Sequence, residues 1–298
     1  DFLEHQGTGT ATLNGDAGTD VLVGSSPTDV LNGGEGNDQL EGLAGAYHGG
    51  GGDDGLFVTL TDARVPTIDG GAGTGDVLTL TLGGGADTLA ISSYDVAASS
   101  QDGLNLLLNG TNRPTTGLER VLVDAGTGAD TLVVGDLAAA AGVTEVSLDL
   151  GSGSADTVTV HGTGVADAFT LTYVTRTGRP ANEVQVARTG AYTVWVGNAV
   201  RAQGDTLTVA AGGGADTLDA SALGTAGAPA SDRVAVVLRG EAGNDTLLGT
   251  PFADVLDGGA DDDRVTGGFG RDTFADAGGT DTLVEAFASD FGLYDNLF

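Results

Sequence analysis

Aspartates recur every nine residues at two places in the chain. They are Asp20, Asp29 and Asp38 near the start, and Asp245, Asp254, Asp263, Asp272 and Asp281 near the end. A stretch holding one or more glycines precedes each, and an apolar residue follows two places later: Leu22, Leu31, Leu40, Leu247, Leu256, Val265, Phe274 and Leu283. The glycines are Gly15, Gly18, Gly33, Gly34, Gly36, Gly240, Gly243, Gly258, Gly259, Gly267, Gly268 and Gly270. They allow turns through dihedrals closed to residues with a Cβ. Such a turn gathers backbone carbonyls into one small space, and the aspartate adds a carboxylate. About six to eight hard oxygen ligands suit Ca2+, whereas Mg2+ demands a tight octahedron and keeps its water. These aspartates and glycines are therefore the expected metal ligands, with several Ca2+ ions as the cofactor. The bland alternative is a solvated acidic turn with no ion.

The triplet around each apolar residue reads as a short strand with that residue facing inward. Two blocks make one coil, so turns two blocks apart lie ~4.8 Å from each other, as neighbouring strands do. That stacks Asp20 over Asp38, Asp245 over Asp263 over Asp281, and Asp254 over Asp272. A column of like charges at this spacing repels itself unless a divalent ion sits between each pair. No single block can bury its own apolar face, so several must stack before any is stable.

The pattern loosens between the two ends. The block EGLAGAYH is degenerate, and GGGGDDGLF restores the form with Asp54 and Leu56. Further on, Asp76, Asp87, Asp130, Asp156 and Asp216 each close a glycine turn before a strand-like run, at irregular spacing. They are added to the expected ligands. Residues 92–120 and 174–204 read as excursions, with loops or extra strands. LNLLLN at 104–109 and DLAAAAG at 136–142 are the only short helix candidates. The expected division is a lead-in over 1–12, a calcium roll over 13–57, irregular rungs over 58–235, a second roll over 236–283, and a cap or continuation over 284–298.

These blocks resemble the RTX (repeats-in-toxin, haemolysin-type) calcium-binding nonapeptide repeat. The likeness is strongest over 14–57 and 239–283. It implies an all-β, right-handed parallel β-roll or β-solenoid with irregular central rungs, type I export, and folding in extracellular calcium. Pro27, Pro251 and Phe252 stand where the consensus has turn glycines, so Asp29, Asp254 and Asp272 mark the weakest matches.

Composition narrows the function. There are 42 Asp and Glu against 11 basic residues, all Arg, for a formal charge of −31. Such a chain repels phosphate backbones and anionic lipid, and attracts cations. Neither nucleic acid binding nor membrane insertion is expected; no apolar run is long enough to span a bilayer. Without Cys there is no disulfide or thiolate site. His5, His48 and His161 lack metal-binding spacing, and no zinc-protease or nucleophile-elbow motif is present. Asp16, Asp53, Asp261 and Asp262 read as surface charge or outer support rather than ligands. Trp195 reads as a strand residue, with carbohydrate contact as its alternative. The chain is expected not to be an enzyme. It is expected to be a calcium-rigidified extracellular module of a fibre, adhesin stalk or surface layer. Self-association, neighbouring segments of the same long protein, and a cell-surface or matrix target are the expected partners. The alternative is the C-terminal secretion and folding module of a type I-secreted toxin, protease or lipase.

Overall fold

The computed structural model describes residues 1–61, 64–94, 103–137, 142–153, 155–177, 183–224 and 234–284. The fold is all-β. Among the described residues only two short 3-10 turns, Arg201–Gln203 and Ser221–Gly224, depart from strand and loop. None of their helices is long and apolar enough to cross a membrane. The chain divides into two compact units, residues 1–131 with 137–152, and residues 132–136 with 153 onward.

From Phe2–Glu4 to Thr88–Tyr94, successive strands of the first unit fall alternately into two sheets. One sheet is parallel throughout and runs Phe2–Glu4, Val21–Ser25, Gln39–Leu43, Gly55–Thr59, Val77–Thr81, Arg120–Asp124, Glu145–Asp149. The other begins with four parallel strands, Thr12–Asn14, Val30–Glu35, Ala46–Gly51 and Thr67–Ala72. Side chains alternate along each strand, and the inward position is apolar. Leu22, Leu31, Leu40 and Leu56 are fully buried. Each such leucine contributes roughly 1.5–3 kcal/mol relative to exposure. Because the strand period is two, an aspartate at a corner sets the residue two places on facing the interior.

The second unit repeats this plan. Thr217–Asp219, Thr246–Leu248, Arg264–Thr266 and Thr282–Val284 form one parallel run. Thr157–Thr163, Thr206–Gly213, Ala235–Ala242, Val255–Ala260 and Thr273–Ala275 form the other.

Neither unit is wholly parallel. Gly103–Leu108 pairs antiparallel with both Thr88–Tyr94 and Thr111–Thr116. Glu183–Arg188 pairs antiparallel with both Ala168–Val174 and Thr193–Gly197. Gly103–Leu108, Thr111–Thr116, Glu183–Arg188 and Thr193–Gly197 lie within the two expected excursions, which therefore extend the sheets. The candidate helix at 104–109 is a correction: it is strand, with Leu104, Leu106 and Leu108 buried and Leu107 exposed. That alternation has the strand period rather than the helical one. The second candidate, at 136–142, lies largely outside the described residues. Trp195 is a strand residue, and the Arg176 guanidinium lies 3.8 Å over its ring.

The degenerate block is a shortened layer. Tyr47 takes the register position of Leu31. Its hydroxyl donates to the Gly42 carbonyl at 2.7 Å and accepts the Ala44 N–H at 3.1 Å, closing the corner without an aspartate.

Candidate metal centre

One contact recurs at the corners. A carboxylate oxygen accepts the backbone N–H of the corner residue one layer earlier. In the first unit Asp38 accepts from Asp20 at 2.9 Å, Asp54 from Asp38 at 2.8 Å, and Asp76 from Asp54 at 2.7 Å. Asp130 accepts from Asp87 at 2.8 Å. In the second unit Asp216 accepts from Asp167 at 2.6 Å, Asp245 from Asp216 at 2.7 Å, Asp263 from Asp245 at 2.8 Å, and Asp281 from Asp263 at 2.8 Å. Asp272 accepts from Asp254 at 3.0 Å. The first carboxylate oxygen thus completes the backbone ladder.

The second oxygen behaves differently. Among the described residues, Oδ2 is buried with no hydrogen-bond partner in Asp20, Asp38, Asp54, Asp76 and Asp87, and again in Asp216, Asp245, Asp263 and Asp272. A buried carboxylate oxygen without a donor is costly. Burial raises the carboxyl groups of Asp38, Asp54, Asp216, Asp263 and Asp272, and neighbouring carboxylates add to the rise at all of these but Asp272. Asp76 and Asp245 are pushed up to about 6, by burial first and then by adjacent acids.

At most of these corners the oxygen faces a space kept clear by glycine. A Cβ on Gly15 would stand 2.8 Å from Asp20 Oδ2 and meet the Gly33 carbonyl. One on Gly33 would stand 2.5 Å from Asp38 Oδ2 and meet the Gly49 carbonyl. Gly240 has the same relation to Asp245 Oδ2 and the Gly258 carbonyl, and a Cβ on Gly258 or Gly267 would crowd the Oδ2 of Asp263 or Asp272. Gly36, with φ of 127°, instead needs its freedom to turn. A carbonyl and an unpaired carboxylate oxygen sharing a pocket with no room for a methyl group fit a hard divalent cation.

Other corners are closed by protein donors. Asp29 Oδ2 takes the Ser25 and Ser26 N–H groups, both at 3.0 Å, and His5 Nδ1 at 2.8 Å. Its Oδ1 takes the Ala11 N–H at 2.8 Å. Burial would raise this carboxyl, but the donors outweigh it and hold it at about 2. Asp254 takes Thr250 N–H at 2.6 Å and the Thr250 hydroxyl at 2.8 Å on Oδ2. Asp167 takes Arg188 Nε at 2.6 Å and Thr163 N–H at 2.8 Å.

Two column members escape the nine-residue pattern. Glu119 accepts from Asp76 at 2.8 Å, and Asp205 accepts from Asp156 at 2.9 Å. Asp205 opens Asp-Thr-Leu, the signature also seen at Asp87, Asp130 and Asp216, and could have been found by it. Nothing local marks Glu119. Asp53 and Asp262 act outside the corners, each accepting an N–H from the next layer, Thr74 at 3.2 Å and Thr280 at 2.7 Å.

The family model for the RTX calcium-binding nonapeptide repeat matches in four copies, over residues 14–47 and 239–274. The chain carries RTX calcium-binding repeats. The RTX repeat is a calcium-binding structural module, and its presence implies calcium binding here. The match covers the columns of Asp20 with Asp38, Asp245 with Asp263, and Asp254 with Asp272. No curated relative and no solved structure matches the chain.

Proposed function

We propose that the chain is a calcium-dependent structural module, coiled as a right-handed β-roll and working outside the cell as part of a fibre, stalk or surface layer. Calcium goes to the open corners and not to the corners of Asp29, Asp167 and Asp254, where protein donors already satisfy the carboxylate. The reading rests on one observation: buried, unpartnered Oδ2 atoms recur in register through successive layers, most of them beside a glycine with no room for a Cβ. Stacking the leucines aligns these carboxylates, and the aligned carboxylates repel unless a cation lies between them. Binding and coiling are therefore one event. Weak, millimolar-range calcium sites suit an extracellular module. The −31 charge supports the same role, since cations offset self-repulsion of the folded chain.

The test is a calcium titration of the chelated chain, followed by circular dichroism and analytical ultracentrifugation. Strand signal and compactness should rise together with calcium. A fully ordered, compact chain in excess EGTA would end this reading.

A further inference from the structure

We propose that Asp263, Asp276 and Asp281 form the tightest divalent-cation site of the chain. The proposal rests on the reading of open corners as calcium sites, and adds a third carboxylate at a place where the repeat has glycine.

One ligand oxygen from each of the three residues lies within 4.8 Å of the other two. Asp263 is only 3% exposed, and its Oδ2 has no partner among the described residues. Its Oδ1 is committed to the Asp245 N–H. Asp281 Oδ1 is committed to the Asp263 N–H at 2.8 Å, and Asp276 Oδ1 to the Gly278 N–H at 3.0 Å. Every carboxylate therefore has one oxygen held by a backbone N–H.

Register explains why Asp276 is there. Ala260 bridges Gly278, so Asp276 follows Gly258 in the column, and Gly258 follows Gly240. Those glycines leave room for Asp263 Oδ2 and Asp245 Oδ2. At the last described layer the position carries a carboxylate instead. Three acids so close, one of them buried, repel strongly without a cation. Affinity for Ca2+ rises with the number of charged ligands in a site. This corner therefore fills first, and the layers with glycine at this position fill after it.

The experiment is calcium calorimetry on the full chain at neutral pH, comparing the natural protein with Asp276→Gly and Asp276→Asn. The glycine variant restores the repeat, so the column still stacks. The asparagine variant keeps the side chain and removes its charge. Both should weaken the tightest binding step by about tenfold or more, with unchanged strand signal at saturating calcium. A glycine or asparagine variant whose tightest step matches the natural protein overturns the proposal while leaving the calcium reading intact. If the natural protein binds no calcium, the calcium reading itself fails, and this site with it.

Discussion

The backbone N–H of Asp245 donates to Oδ1 of Asp263 at 2.8 Å, and Oδ2 of the same Asp263 is buried with no donor. One side chain therefore carries two separable functions. Oδ1 completes the backbone ladder. Oδ2 carries a buried charge that costs stability without a cation and serves as a ligand when one is bound. Asp263→Asn keeps the acceptor and loses the charge, whereas Asp263→Ala loses both. At saturating calcium both should fall below the natural protein, and Asp263→Ala should be the less stable of the two by about 1–3 kcal/mol, the cost of a buried N–H left unsatisfied. Denaturant titrations in saturating calcium check this, and equal stability of the two variants would contradict the ladder function.

Open and closed corners should respond differently to charge removal. Asp38→Asn should lower calcium stoichiometry and leave a chain that needs more calcium to fold. Asp29→Asn should leave stoichiometry unchanged, because Ser25, Ser26, His5 and Ala11 already occupy that carboxylate. It should instead lower stability on the order of 2 kcal/mol in saturating calcium, from the lost charge-assisted hydrogen bonds. Stoichiometry that drops in the Asp29 variant would place an ion at that corner.

How much of this was legible follows from where the spacing is regular. Asp20 with Asp38, and Asp245 with Asp263 and Asp281, sit two blocks apart, so their stacking could be read directly, as could the inward leucines between them. The same reading failed where strands are inserted. Glu119 lies 43 residues from Asp76, and Asp205 lies 49 from Asp156. Antiparallel pairs fill much of both gaps. The donors that close corners were equally hidden. His5 is 24 residues from Asp29, and Arg188 is 21 from Asp167, at distances that no repeat specifies. Asp276 escaped because it occupies a glycine position rather than an aspartate one.

The cradle glycines should be intolerant for a reason of space. Gly33 has no unusual φ, yet a Cβ there would stand 2.5 Å from Asp38 Oδ2. Gly33→Ala should cost roughly 1–3 kcal/mol through overpacking and weaken calcium binding at that corner. Gly9 has nothing within 4 Å of its missing Cβ. Gly9→Ala should therefore be neutral to within about 0.5 kcal/mol. Thermal melts in calcium compare them, and a silent Gly33→Ala would mean the pocket has more room than the structure gives it.

Protons should compete with calcium. Asp76 and Asp245 titrate at about 6 in the folded chain, against an ordinary value of 3.8. A carboxyl raised by folding holds its proton more tightly when folded. Its contribution to stability is complete below the ordinary value and is lost as pH rises through about 6. In EGTA, acidification from about pH 7.5 to about pH 5 should therefore increase strand signal. In calcium the sign reverses for binding, because the ion must displace those protons: affinity should fall as pH drops through about 6. Calorimetry in buffers of different ionisation enthalpy should detect proton release near pH 6. Binding that is indifferent to pH across this window would remove Asp76 and Asp245 from the ligand set.

Arg188 gives the strictest comparison between an ion and a protein cation. Its Nε donates to Asp167 Oδ1 at 2.6 Å, Nη1 reaches Asp136 at 3.2 Å, and the pair is nearly buried. The guanidinium holds charge at a corner where other layers carry an unpartnered oxygen. Removing one partner of a buried pair leaves the other uncompensated and costs about 3–5 kcal/mol. Arg188→Met should lose about that much, and Arg188→Met combined with Asp167→Asn should recover part of it, since the stranded charge is gone. The loss should not shrink as calcium is raised beyond what folds the chain if the corner is closed to ions. Should calcium alone restore the single variant, the corner can accept an ion once the arginine leaves. The guanidinium would then be a built-in substitute for the metal at a site that still has the shape to bind it.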